Sequence, residues 1–125
     1  MRTGTFGLLI AAGLVAGASA ALAGDDVKAG EIVFKRTCGV CHTVEVGKNK
    51  IGPSLAGVVG RKAGSLEGFK YSEAMKNANV TWSDETLDKY LTDPKAMVPG
   101  NRMAFAGVKK AEDRKAVIAY LASIK

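Results

Sequence analysis

Cys38-Gly39-Val40-Cys41-His42 is the stretch on which the reading of this chain turns. Two thiols separated by two residues, with an imidazole directly after the second, form the pattern of covalent haem attachment. The thiols add to the two vinyl groups of the macrocycle, and two intervening residues match the vinyl separation on a turn of backbone. The adjacent His42 is then held beneath the iron and supplies one axial nitrogen. Three other readings compete. A thioredoxin-type pair belongs near a βαβ pattern, and no strand alternation is evident. A zinc site needs four ligands, usually Cys or His, and these three are the only Cys and His residues in the chain. A plain disulfide leaves His42 unexplained. Haem attachment is the reading that uses all three side chains.

A single histidine excludes ligation by two imidazoles. The sixth iron position is left to Met, Lys, a weak ligand such as Asn, or nothing. Outside the N-terminal segment the methionines are Met75, Met97 and Met103. Met75 falls in a predicted short helix and Met97 in the tight turn after Pro94. Met103 sits in the irregular segment from Pro99 to Gly107, which can turn one side chain inward while its neighbours face solvent. Local context therefore favours Met103, against the ordinary role of a lone Met as core filler.

Working outward, helical spacing of Val27, Gly30, Phe34 and Cys38 predicts a helix ending at about Cys38, with Asp25 and Asp26 as candidate N-caps. Gly30 inside it costs roughly 1 kcal/mol against Ala, which implies a close neighbour there. Val117, Tyr120, Leu121 and Ile124 form a stripe on a helix over about 111–123, and the simplest packing crosses these two helices at Gly30. Ser83 caps a helix over about 84–92, with Trp82 and Leu87 spaced as a hydrophobic staple. Asp93 and Pro94 start a short turn closed by Pro99-Gly100, and Ser72 caps a short helix over 73–79. Residues 43–71 carry six glycines and Pro53 without a sustained period. So long a loop calls for a functional reason, and a few short helices are a thin core. A large apolar cofactor at the centre answers both. The expected fold is all-α, with three to five helices and long loops wrapped around one covalently bound haem.

The chain has 125 residues, 18 Lys+Arg, 12 Asp+Glu and a mean hydropathy of +0.06. Residues 1–23 read as a cleaved secretory signal peptide: Arg2, an apolar run from Phe6 to Ala18, then Ala21-Leu22-Ala23 before polar Gly24-Asp25-Asp26. Cleavage is expected after Ala23, with Ala20 as the alternative. The apolar run is shorter than the roughly 20 residues of a membrane span. Residues 24–125 then form one domain, exported to the periplasm, with a formal charge of +5.

Beyond these residue-by-residue readings, the chain resembles the class I c-type cytochromes, close to mitochondrial cytochrome c and bacterial cytochrome c2. The matching segments are 38–45, 51–55, 59–61, 68–71, 81–82, 90–95 and 98–107, in order and at near-matching spacing. The resemblance implies haem c on Cys38 and Cys41, His42 and Met103 as iron ligands, and the Pro53 carbonyl as acceptor of the His42 ring N–H. It implies that Arg61, Tyr71 and Trp82 hold the haem propionates and that Tyr90 packs near Met103. Three positions depart from the family pattern: Met75 stands for a usual Asn, Asn101 for a usual Thr, and Met97 for an aromatic residue.

The implied function is a soluble one-electron carrier, not an enzyme. It would run from a quinol-oxidising cytochrome bc complex to an oxidase, photosynthetic reaction centre or other reductase. Basic positions matching the family's docking ring are Lys50, Lys95, Arg102, Lys109 and Lys110, with Arg36 and Lys48 nearby and Thr37 where mitochondrial relatives carry Lys. They point to acidic partner surfaces and to a monomer touching the membrane only peripherally. Nucleic acid does not suit an exported haem protein. The alternatives are a peroxidase-like haem enzyme or subunit with a labile sixth ligand, and a membrane-anchored carrier that retains its leader.

Overall fold

The computed structural model describes Gly13 and residues 18–125. Apart from Gly13 and Ala18, the charged start and apolar run of the expected leader lie outside the described residues. Five helices follow in order: α1 (Ala18–Thr37), α2 (Glu73–Lys76), α3 (Asp84–Thr92), α4 (Pro94–Met97) and α5 (Ala111–Ser123). Among the described residues there is no strand, only an isolated antiparallel bridge between Lys62 and Thr81. The architecture is all-α, as the sequence implies.

The first and last helices form the frame. Gly30 is buried, and a Cβ there would strike the carbonyl oxygen of Ala116, with the Ala116 carbonyl carbon at 2.6 Å and Tyr120 Cβ at 2.7 Å. The crossing is thus backbone against backbone, which only glycine permits. Beside it the rings of Phe34 and Tyr120 pack with centroids 5.6 Å apart, and Val33, Val117 and Leu121 close the seam. The α5 stripe is wider than the sequence pattern indicates, because Ala116 and Ile118 are buried as well. The reason is that α5 packs against both α1 and α3.

Helix boundaries depart from expectation at two places. Helix α1 begins at Ala18 and not at Asp25 or Asp26. The alanine-rich residues before Asp25 have the highest helix propensity of any residue type and prolong the helix, leaving Asp26 to approach Lys115 Nζ at 3.8 Å. Helix α2 stops at Lys76, short of Asn79. Asn79 takes a left-handed φ of 52°, and the chain then extends so that Ala63 N–H donates to the Val80 carbonyl at 2.7 Å.

The caps follow the sequence. In α3, Ser83 Oγ accepts from Thr86 N at 3.2 Å while Thr86 Oγ1 accepts from Ser83 N at 2.8 Å. Threonine here takes the part usually given to Glu or Gln in a capping box. Trp82 and Leu87 on either side of the cap are both buried. Asp93 Oδ1 accepts from Ala96 N at 3.2 Å to start α4.

The long loop is held by its own polar side chains. Thr43 Oγ1 donates to the Lys48 carbonyl at 2.6 Å, Ser54 Oγ donates to the Glu45 carbonyl at 2.6 Å, and Asn49 Oδ1 accepts from Ser54 N at 2.8 Å. Such bonds replace the ladder that a helix or strand would have supplied to this backbone.

Gly30→Ala tests the frame. Alanine restores about 1 kcal/mol of helix propensity, whereas overpacking of a close backbone contact costs on the order of 1–3 kcal/mol or more. The haem-loaded variant is expected to lose about 2 kcal/mol in urea denaturation, so an unchanged or raised midpoint would contradict the packing described.

Candidate haem site

Helix α1 delivers the chemistry at its C-terminal end. The Phe34 carbonyl accepts from Cys38 N at 2.7 Å and from Gly39 N at 2.8 Å, and the Cys38 carbonyl accepts from Cys41 N at 3.1 Å and His42 N at 2.9 Å. The helix therefore winds on as turns through His42. Cys38 and Cys41 are half-buried free thiols, with no disulfide between them. Burial, with a contribution from Cys41, pushes the Cys38 thiol up to about 11.

His42 is gripped from two sides. Its Nδ1 lies 2.7 Å from the Pro53 carbonyl oxygen, which fixes that nitrogen as the donor and leaves Nε2 with its lone pair. Gly52 lies against the ring: a Cβ there would collide with Cε1 and come within 2.7 Å of Nδ1 and 2.8 Å of Nε2. Burial lowers the pKa of His42 below its ordinary 6.5, opposed by the Pro53 bond and helped by the positive Arg61. The imidazole is neutral at neutral pH, the form that binds a metal. Gly52 N–H in turn donates to the Cys41 carbonyl at 2.8 Å, so the thiol segment and the segment gripping the ring are stitched together.

Arg61 is half-buried. Its Nη2 donates to the Ser54 carbonyl at 2.9 Å and Nη1 to the Ala56 carbonyl at 3.4 Å. Desolvation lowers its pKa, with Tyr71 acting the other way. Trp82 joins Arg61 through the backbone, Trp82 N donating to the Arg61 carbonyl at 2.9 Å, and its ring packs on Tyr90 with centroids 4.9 Å apart. Tyr71 stands slightly apart: its hydroxyl accepts from Leu66 N at 3.3 Å, and its ring meets Phe69 edge-on at 4.9 Å. Met75, Met97, Met103 and Cys38 all pack, partly buried, against the one hydrophobic cluster. Packing alone thus does not choose among the three methionines.

These residues fit a haem. Two unpaired thiols stand three positions apart, a neutral imidazole has one nitrogen pinned and the other unclaimed, and a desolvated guanidinium offers positive charge beside them. Sequence reading left Gly52, Asn49 and Ser54 without a role. The only signal was position: Gly52 directly precedes the proline whose carbonyl meets His42.

A helical shell of this topology, with a C-x-x-C-H turn at the end of its first helix, defines a haem-carrying electron-transfer protein. The cytochrome c family model matches residues 27–125. Over 101 residues, 80% of this chain and 95% of the relative, the chain is 54% identical to cytochrome c of Gibberella zeae. It is also 54% identical over 116 residues to cytochrome c2 of Rhodomicrobium vannielii, covering 92% of this chain and 91% of that protein. Cytochrome c2 of Blastochloris viridis is 48% identical over 122 residues, 97% of this chain and 92% of that protein. The chain belongs to the cytochrome c family. Its cofactor is haem c, held covalently by Cys38 and Cys41, and its function is electron transfer, not enzymatic turnover.

Burial pushes the Tyr90 phenol up to about 12 from its ordinary 10.0. The unfolded chain releases this proton first, so the contribution to stability is complete below pH 10 and declines as the pH rises toward 12. Tyr90→Phe is expected to remove that share of the alkaline decline. Urea midpoints of the two haem-loaded proteins across this range should converge as pH rises if Phe begins lower, and separate with Phe the higher if it begins level.

Proposed function

We propose that this cytochrome works in the periplasm after removal of residues 1–23, with His42 and Met103 as the side chains that would hold the haem iron. It would carry electrons from a quinol-oxidising cytochrome bc complex to a terminal oxidase, reaction centre or other reductase. The observation that carries the reading is the grip on His42: Nδ1 at 2.7 Å from the Pro53 carbonyl, Gly52 against the ring, and both cysteines unpaired just before it. Haem c, when bound, supplies the one-electron couple. His42 offers Nε2 to the iron, and the Pro53 bond holds the ring orientation and keeps the imidazole electron-rich. Met103 offers a thioether, which favours the reduced iron and raises the potential. Side chains held in this way would keep movement small during electron transfer. Arg61, Tyr71 and Trp82 serve as donors to the propionates, and Tyr90 packs on the ligand side.

Export is supported by Ala21-Leu22-Ala23 at the expected cleavage site and by the Blastochloris viridis match, which at 97% of the chain reaches into the leader. Among the described residues no helix is long and apolar enough to cross a membrane. Docking is supported by exposed Lys50, Lys95, Arg102, Lys109 and Lys110 on a domain of formal charge +5, which suit an acidic partner surface.

Two experiments test this. The ferric protein should show a sulfur-to-iron charge-transfer band at the red end of the spectrum. Met103→Ala should abolish it and lower the potential on the order of 0.1 V, within the roughly 0.8 V range that axial ligands span. Retention of the band in that variant would remove Met103 as ligand. Stopped-flow association with a purified cytochrome bc complex should slow as ionic strength rises, and a flat salt series would exclude electrostatic docking.

A further inference from the structure

The segment bearing Met103 is tied down at both ends. At its far end Gly107 has a φ of 114°, and a Cβ there would lie 2.6 Å from the Thr92 carbonyl oxygen and 2.7 Å from that of Leu91. Val108 N donates to the Leu91 carbonyl at 2.7 Å. Arg114 Nη1 donates to the Val108 carbonyl at 2.9 Å while its Nε donates to Asp88 Oδ1 at 2.8 Å. Between the two ends, Arg102, Ala104 and Ala106 are exposed while Met103 and Phe105 are half-buried. The alternation turns Met103 inward.

At the near end Asn101 N donates to the Val98 carbonyl at 3.2 Å, and the Asn101 side chain adds three further bonds. Asn101 Nδ2 donates to the Pro94 carbonyl at 3.0 Å and to the Val98 carbonyl at 2.9 Å, and Asn101 Oδ1 accepts from Met103 N at 3.0 Å. Both carbonyls belong to buried residues of the α4 turn: Pro94 is fully buried and Val98 is 4% exposed. The amide thus uses its N–H donors on two carbonyls of the buried α4 turn and its oxygen on the Met103 backbone. A threonine, usual at this position in the resemblance described above, has a single donor and could not make both carbonyl bonds.

We propose that Asn101 is the positioning residue for Met103, bracing the backbone of the sulfur-bearing residue against α4 and so holding the thioether on the iron. The inference rests on Met103 being the sixth ligand. Loss of the brace raises the fraction of ferric molecules in which Met103 is detached. An added ligand that binds only those molecules gains apparent affinity in proportion to that fraction.

Imidazole titration of the haem-loaded ferric protein reads this directly. Asn101→Ala is expected to bind imidazole about tenfold more tightly than the native protein, since each lost hydrogen bond is worth a several-fold change in the equilibrium. Asn101→Asp keeps an acceptor for Met103 N–H but turns oxygen toward two carbonyls, and is expected to bind at least as tightly as Asn101→Ala. Ala119→Gly, which weakens α5 by about 1 kcal/mol away from the Met103 segment, should leave imidazole affinity within about twofold of native. If both Asn101 variants bind imidazole as the native protein does, while Met103→Ala abolishes the sulfur band, Asn101 does not position the ligand. Equal tightening in Ala119→Gly would also overturn the proposal, by reducing the effect to general loosening. Survival of the sulfur band in Met103→Ala would instead remove the ligand assignment on which the proposal rests.

Discussion

The tightest glycine contact among the described residues lies two turns before the thiol pair, where Gly30 of α1 meets the Ala116 carbonyl of α5. Everything at the other end of α1 depends on it. Phe34, one turn on, packs its ring on Tyr120 and uses its carbonyl to accept from both Cys38 and Gly39. The crossing point thus sets where the helix ends, and the helix end sets where the two thiols and His42 stand. A side chain at residue 30 would lift α1 off α5 and carry the thiol turn with it. The energetic sense is plain: burying a large apolar side chain contributes about 1.5–3 kcal/mol, and Phe34, Val117 and Leu121 reach full burial only when the backbones touch.

Placing the imidazole is a separate task with a separate device. The loop after His42 has no regular hydrogen-bond ladder, yet it must aim one ring nitrogen at a fixed carbonyl. It does so by making the loop rigid from within. Ser54, only 2% exposed, bonds the Glu45 carbonyl, and Arg61 bonds the Ser54 carbonyl, so Pro53 is held by its neighbours on both sides. The desolvated Arg61 also supplies positive charge that, with burial, keeps His42 neutral. One guanidinium therefore braces the loop and adds to the burial that keeps the ring neutral.

Much of this was legible in the sequence because it is local. The thiol pair with its histidine, the Ser83 cap and the Pro94 turn each depend on residues within one or two turns, while Gly30 announced its distant partner only by its poor fit to a helix interior. What was not legible depends on distant partners or on competition between local preferences. Helix α1 outruns Asp25 and Asp26 because the preceding alanines favour helix more than the aspartates favour stopping it. Helix α2 ends early because Val80 is drawn into pairing with Ala63, seventeen positions away. The Asn101 brace was foreshadowed only as a departure from a family pattern. That its amide reaches two α4 carbonyls follows from how the chain folds back, which no spacing rule encodes.

The cationic surface divides in a way that charge counting does not reveal. Lys50 Nζ donates to the Gly39 carbonyl at 2.9 Å, and Lys109 Nζ donates to the carbonyls of Ala106 at 2.7 Å and Thr92 at 3.1 Å. Lys95, Arg102 and Lys110 are exposed, and among the described residues they make no ion pair. Bonding to a carbonyl leaves the ammonium charge intact, so all five positions contribute to a long-range field that steers an acidic partner. Direct pairing with a partner carboxylate is different, because Lys50 and Lys109 would first give up bonds that tie the thiol turn and the Met103 strap. In the docking proposed above, steering therefore belongs to five residues, and close contact falls first to the three whose donors are not already engaged in the fold.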